Sequence, residues 1–252
     1  MIRRLACWKE ALFAGLLALV LLMPACDKTD SNTENDQEKE VEKTTPEPKE
    51  ATGTLAPLPI VLPNAMFVGT PTNIRGVEKL QKPLGKPRPP FLAPAGCTNV
   101  ALNKKVTSSD MEPIIGDLEW MTDGDKEGID GSWVVLSPMV QWAQIDLGAE
   151  YDIYAVLFWH YHRQARVYFD VIVQVADDPD FITNVRPIFN NDLDNSAGQG
   201  IGEDMHYIET AEGKLVNAKG VKARYVRLYS RGSNASDENH YTEIEVYGKP
   251  AQ

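Results

Sequence analysis

The stretch VQWAQIDLGAEYDIYAVLFWHYHRQARVYFDVIVQVADDPDF, from Val140 to Phe181, most limits what this chain can become. Apolar residues, many of them β-branched or aromatic, crowd Trp142 to Leu147, Ile153 to Trp159 and Val167 to Val175, while Gly148 to Asp152 and Asp177 to Asp180 have turn composition. Runs so short and so punctuated do not sustain helices, so three β-strands separated by two turns are expected. Between the second and third lies HYHRQAR, His160 to Arg166, two imidazoles and two guanidiniums in one short connection. A rigid sheet would hold that polar loop at its rim, where binding residues usually sit.

The front of the chain reads differently. Arg3, Arg4 and Lys9 precede an apolar run, Ala11 to Met23, of about thirteen residues, the length of a signal h-region and short for a membrane span. It ends in Leu22-Met23-Pro24-Ala25-Cys26, which resembles the lipobox of bacterial lipoproteins. That resemblance implies a signal peptide over 1–25, lipidation of Cys26 and an exported protein held at the membrane by its lipid alone, on the periplasmic or cell-surface side. An ordinary secretory signal cleaved near Ala25 is the alternative, and it too means export. Residues 26–56 are rich in Glu, Lys, Thr and Pro with almost no large apolar side chains, so they are expected to be an acidic disordered tether.

Residues 57–97 form a proline-rich arm without period 2 or 3.6. Ile60, Val61, Leu62, Met66, Phe67 and Val68 are too many apolar side chains for a free linker, so part of the arm should lie against the domain. Of the three cysteines, Cys7 falls in the signal and Cys26 at its end, which leaves Cys97 without an intrachain partner in the mature chain. The net charge of −11 and the lack of a basic stripe argue against nucleic acid.

Over residues 98–249 short alternating strands recur, among them HYIET near Tyr207, RYVRLYS (Arg224 to Ser230) and YTEIEVYG (Tyr241 to Gly248). The order NVALNKKVTSSD, TDGDKEG, W-x-x-I-D-L-G, a WH strand, VQVADDPDF, ARYVRLYS and EIEVYG resembles the discoidin family, also called the coagulation factor V/VIII type C domain. The resemblance implies an all-β fold, an eight-stranded jelly-roll β-sandwich of the galactose-binding-domain type, with loops at one end forming the site. It also implies a structural calcium between a D-G-x loop and a glutamate of the last strand, here Asp123, Asp125 and Glu243. Turn carbonyls and carboxylates are the hard oxygen ligands calcium prefers.

Sugars are held by planar polar groups that bridge vicinal hydroxyls and by an aromatic ring under the apolar face of the pyranose. His160, Tyr161, His162, Arg163 and Arg166 are the candidates for such a surface, with Asn191 and Asp192 from the polar loop after Phe189 and Trp120 as the platform. Trp133 is also open as a platform, while Trp142 and Trp159, inside apolar strands, read as core. The expected function is noncatalytic binding of a carbohydrate or glycoconjugate at the cell envelope. Two alternatives stay open: a scaffold lipoprotein with an envelope protein partner, and a metal-dependent hydrolase in which His160 and His162 gather Asp192 or His206 around a metal.

Overall fold

A computed structural model describes residues 54–67, 69, 71 and 74–251. The expected signal peptide, Cys26 and the tether as far as Gly53 fall outside them, as do Val68, Thr70, Thr72 and Asn73 of the arm. Among the described residues the chain is all β, as expected, with one short 3-10 turn at Leu118–Thr122. Strand β1 (Leu55–Pro57) pairs with β2 (Leu92–Pro94) of the arm, which corrects the end of the expected disordered tether, since Leu55 and Ala56 are held in a ladder. Then come β3 (Thr98–Asn99), β4 (Val106–Ser108), β5 (Val134–Leu136), β6 (Gln141–Trp159), β7 (Ile172–Ala176), β8 (Arg186–Asn190), β9 (Lys214–Ser230), β10 (Asn239–Tyr241) and β11 (Glu243–Pro250).

The main sheet has the order β3-β11-β6-β9-β7-β8, with β4 also on β6, while β5 and β10 pair separately. Every pairing is antiparallel. The first two strands expected from the sequence are one continuous strand, β6. Its register against β9 slips between Asp146 and Tyr151, where Gly148 takes a φ of +83°, and again between Ile153 and Ala155, opposite Lys219 and Gly220. Such bulges bend a strand without ending its pairing. The first half of β6 therefore pairs with β4, and the second half with β11.

The bend folds the sheet over one core. Ala143, Ile145 and Leu147 from the first half of β6 share a buried cluster with Val156 and Phe158 from the second, with Val226 and Leu228 of β9 and with Ile244 and Val246 of β11. That shared core makes the molecule a sandwich. The third expected strand is shorter than its apolar run, because Val167–Val171 precedes β7 as irregular chain and Asp170 sits at φ +51°. HYIET forms no strand either; His206 makes a single bridge to Leu80.

The run Ala155-Val156-Leu157-Phe158-Trp159 lacks alternation because both faces of that layer are covered. Val156 and Phe158 point into the core, while Ala155, Leu157 and Trp159 pack with Tyr247 and Cys97 against Leu58 and Ala93 of the arm, flanked by Ile60 and Phe91. The arm is thus a lid on the outer face. It is pinned by the bond from Leu58 N to Phe91 O (2.9 Å) and by Arg88, whose guanidinium donates to the carbonyls of Gly213 (3.0 Å) and Glu212 (2.6 Å).

Candidate functional site

Two loops meet beyond the end of β6. One is the turn after Trp159, and the other runs from Asp123 to Trp133 into β5. His162 Nε2 donates to the Lys126 carbonyl at 2.7 Å, and Arg163 Nη1 reaches the Glu127 carbonyl at 3.5 Å, so the loops are tied side by side. Gly128 makes the approach possible: its φ is +66°, and a Cβ there would stand 3.3 Å from Arg163 Cγ.

Where they meet, the rings of Trp133 and Tyr161 lie edge to face, 4.5 Å apart at 80°. They wall an open cleft of about 350 Å³ completed by Gly128, Ile129, Asp130 and Arg163. Against the same two rings a smaller hollow of about 130 Å³ is lined also by Gln164, Arg166 and His240. The Arg166 guanidinium stands 4.8 Å from the Tyr161 ring and donates through Nη2 to Gln164 Oε1 (3.1 Å). Burial, and after it the Arg166 charge, pushes His240 down to about 4, so it faces the hollow as a neutral ring at physiological pH.

Of the residues singled out in the sequence, the structure brings Tyr161 and Arg163 to the cleft, and Tyr161 and Arg166 to the smaller hollow. His160 and His162 are fully buried, which corrects their expected place on the recognition surface. The two fall on one side, as their spacing implies, but that side is the interior. His160 stacks on Tyr168 at 4.1 Å, with Nδ1 3.2 Å from Glu209 Oε2. The Tyr168 hydroxyl in turn accepts from Tyr161 N at 3.3 Å, so this buried group braces the chain under the cleft. The two histidines engage different partners, so the hydrolase arrangement is not assembled.

Trp120 is corrected as well: half-buried on the 3-10 turn, it packs against the core and lines neither hollow. Trp133, in contrast, lines both hollows. Its signal in the sequence is its place at the end of the glycine-rich segment Gly128-Ile129-Asp130-Gly131-Ser132, just before a strand. Asn191 and Asp192 are buried away from the cleft. Asn191 Oδ1 accepts from Val171 N (2.7 Å), and the Asp192 carboxylate accepts from Ser196 N (3.0 Å) and Ala197 N (2.9 Å).

The expected calcium ligands do not fit a calcium cage. Asp123 and Asp125 are exposed, each with Oδ1 on a loop amide, Asp125 N (2.8 Å) and Glu127 N (3.1 Å). Glu243 is sealed inside, with Oε2 on Gly124 N (3.2 Å) and Oε1 unpartnered. The three do not offer converging ligand atoms, and the cation beside Glu243 is the Lys126 ammonium, paired with Glu245 and 5.0 Å from the Trp159 ring. Burial above all, then the charges of Glu245 and Asp123, pushes the Glu243 carboxyl up to about 9. The group that does converge among the described residues is Asp170, Asp192 and Asp194, with one oxygen each within 4.8 Å of the others, and it can hold a metal ion.

No family model matches the sequence, and no curated protein does. Among solved structures, a family 89 glycoside hydrolase from Clostridium perfringens is similar at 18% identity and a TM-score of 0.44, over 61% of this chain and 15% of its own. This chain therefore corresponds to a small part of that enzyme. A fucose-binding module from Streptococcus pneumoniae is similar at 20% identity and a TM-score of 0.42, covering 60% of this chain and 97% of the module. A chitosan-binding module from a Paenibacillus chitosanase/glucanase is similar at 22% identity and a TM-score of 0.38, covering 60% and 98%.

Proposed function

We propose that this protein is a noncatalytic carbohydrate-binding lipoprotein, exported and tethered through Cys26, whose domain holds a glycan or glycoconjugate in the cleft at Trp133 and Tyr161. The observation that carries the reading is the composition of that cleft: an edge-to-face aromatic pair with Arg163 and Asp130 on one side and Gln164 and Arg166 on the other. Such a wall offers a pyranose ring an apolar contact and offers its hydroxyls both donors and acceptors. The motif order along the sequence supports the same reading.

Binding of the chain from Asp27 to Gln252 to a broad glycan panel tests it. Trp133→Ala is expected to weaken binding by tenfold or more, on the order of 1.4 kcal/mol, with the melting temperature little changed. A blank panel from folded protein would sink the reading and favour a protein partner.

We further propose that the ion suited to Asp170, Asp192 and Asp194 is calcium, which favours carboxylate oxygens. Burial is the main reason Asp170 sits above the usual carboxylate range, and the Asp192 and Asp194 charges add to it; a bound cation would relieve all three. Calcium is expected to raise the melting temperature and EDTA to lower it. Asp192→Asn should remove that response while Asp123→Asn keeps it. The reverse pattern would move the site to the loop after Thr122.

A further inference from the structure

Arginines in this chain mostly find acceptors. Arg186 pairs with Asp177 (3.3 Å), Arg224 with Asp146 (2.8 Å) and Arg231 with Asp170 (3.7 Å). Arg163 and Arg166, at the cleft, make no ion pair with any described residue, in a chain that carries 36 acidic side chains against 25 basic ones.

The nearest acid in sequence to the Arg163 contact is Glu127, and it is engaged elsewhere: its Oε2 accepts from Asn64 N (3.2 Å) and Asn64 Nδ2 (3.0 Å) of the arm. Arg163 is left with the Glu127 carbonyl at 3.5 Å. Arg166 likewise makes no ion pair with a described carboxylate; its guanidinium has the Gln164 side-chain oxygen and lies beside the Tyr168 hydroxyl. Its charge is felt in the hollow beside the cleft, where it adds to the depression of His240. Of the cleft's own lining only Asp130 is acidic.

Resting on the carbohydrate reading above, we propose that the cleft selects an acidic sugar, a glycan carrying a carboxylate such as a uronic acid. Arg163 meets the carboxylate, Arg166 supplies the surrounding positive field, and the Trp133–Tyr161 wall takes the ring. A guanidinium is planar and presents its donors as a fork, which matches a carboxylate. Asp130 accepts from sugar hydroxyls and repels any second anion, so one carboxylate is favoured over a densely sulfated chain.

The test uses the chain from Asp27 to Gln252 and three polyuronates, polygalacturonate, alginate and hyaluronan, each beside the same polymer with its carboxyl groups reduced to alcohols. At least one native polymer is expected to bind about tenfold or more tighter than its reduced partner. Added salt should weaken that binding. Arg163→Gln should shrink the native-to-reduced ratio toward one, and Trp133→Ala should weaken native and reduced forms together.

Equal affinity for native and reduced polymers, or binding confined to neutral glycans, overturns the acidic ligand and leaves the carbohydrate reading standing. Dextran sulfate binding as tightly as the best polyuronate, with Trp133→Ala without effect, also overturns it, since that is the behaviour of an unspecific basic surface. If no saccharide binds, acidic or neutral, both readings fall together.

Discussion

A chain begun at Thr98, without the arm, is expected to be several kcal/mol less stable than one begun at Asp27. Its loss would uncover the cluster in which Leu157, Trp159 and Tyr247 pack against Leu58, Ile60, Phe91 and Ala93 of the arm. Large apolar side chains contribute about 1.5–3 kcal/mol each when buried, and several are affected at once. The Arg88 bonds to Gly213 and Glu212 and the β1–β2 ladder would go with them. Since single domains are stable by only about 5–15 kcal/mol, the shortened chain should melt much earlier and bind the dye ANS through the exposed Trp159 face. Denaturant unfolding of the two chains checks this, and coincident midpoints would refute the arm's structural role. A binding assay on the shortened chain alone would accordingly be uninformative.

The second large effect is alkaline destabilisation through Glu243. Its carboxyl has an ordinary value of 4.5 and is raised to about 9 in the folded chain. Between those two values the folded state keeps a proton that the unfolded state has released. The stabilisation is therefore complete below pH 4.5 and is lost as pH rises toward 9, at roughly 1.4 kcal/mol per pH unit across the window. The groups facing Glu243 are the carboxylates of Glu245 and Asp123, the ammonium of Lys126 and the amide of Gly124.

His240 works in the opposite sense. Depressed from 6.5 to about 4, it gives stability that is present above 6.5 and lost as pH falls through 4. Above pH 7 that contribution is constant, so from 7 to 8 the slope reports Glu243, the raised Cys97 thiol adding to it only as pH nears its ordinary value of 9.0. Unfolding free energy should fall there in the wild type and stay nearly level in Glu243→Gln, an uncharged side chain of the same shape. A level profile in the wild type without EDTA that becomes sloped with it would show that a cation, and not a proton, neutralises Glu243.

Much of the fold was legible. Alternation in β9 and β11 pointed to an all-β fold, and the arm does pack, but through Leu58, Ile60, Phe91 and Ala93, while Val61, Leu62 and Met66, on which the expectation also rested, stay exposed. What the sequence does not show is where a two-residue period stops. His160 and His162 follow β6 closely enough to keep its inward face, and the chain turns to the surface only around them, so the two imidazoles bury while Tyr161 and Arg163 emerge. Trp120 and Trp133 both follow polar loops. Only tertiary packing, the core behind one and Tyr161 beside the other, separates them.

Ligand convergence is equally invisible in one dimension. Asp170 lies more than twenty positions from Asp192 and meets it only because the chain before β7 and the loop after β8 are neighbours across the sheet.

The pairing along β6 also has a mechanical consequence. Thr54, where the described chain begins, is bonded to Ala95, close to where Thr98 pairs with Gly248 and Gly248 with Ile153. The cleft opens beyond Trp159, roughly 20 Å further along the same strand at the usual rise per residue. Under the tethering and glycan binding proposed above, a pull between the two would load the sheet lengthwise. Its cross-strand hydrogen bonds run perpendicular to that force, so they resist sliding together instead of opening one after another.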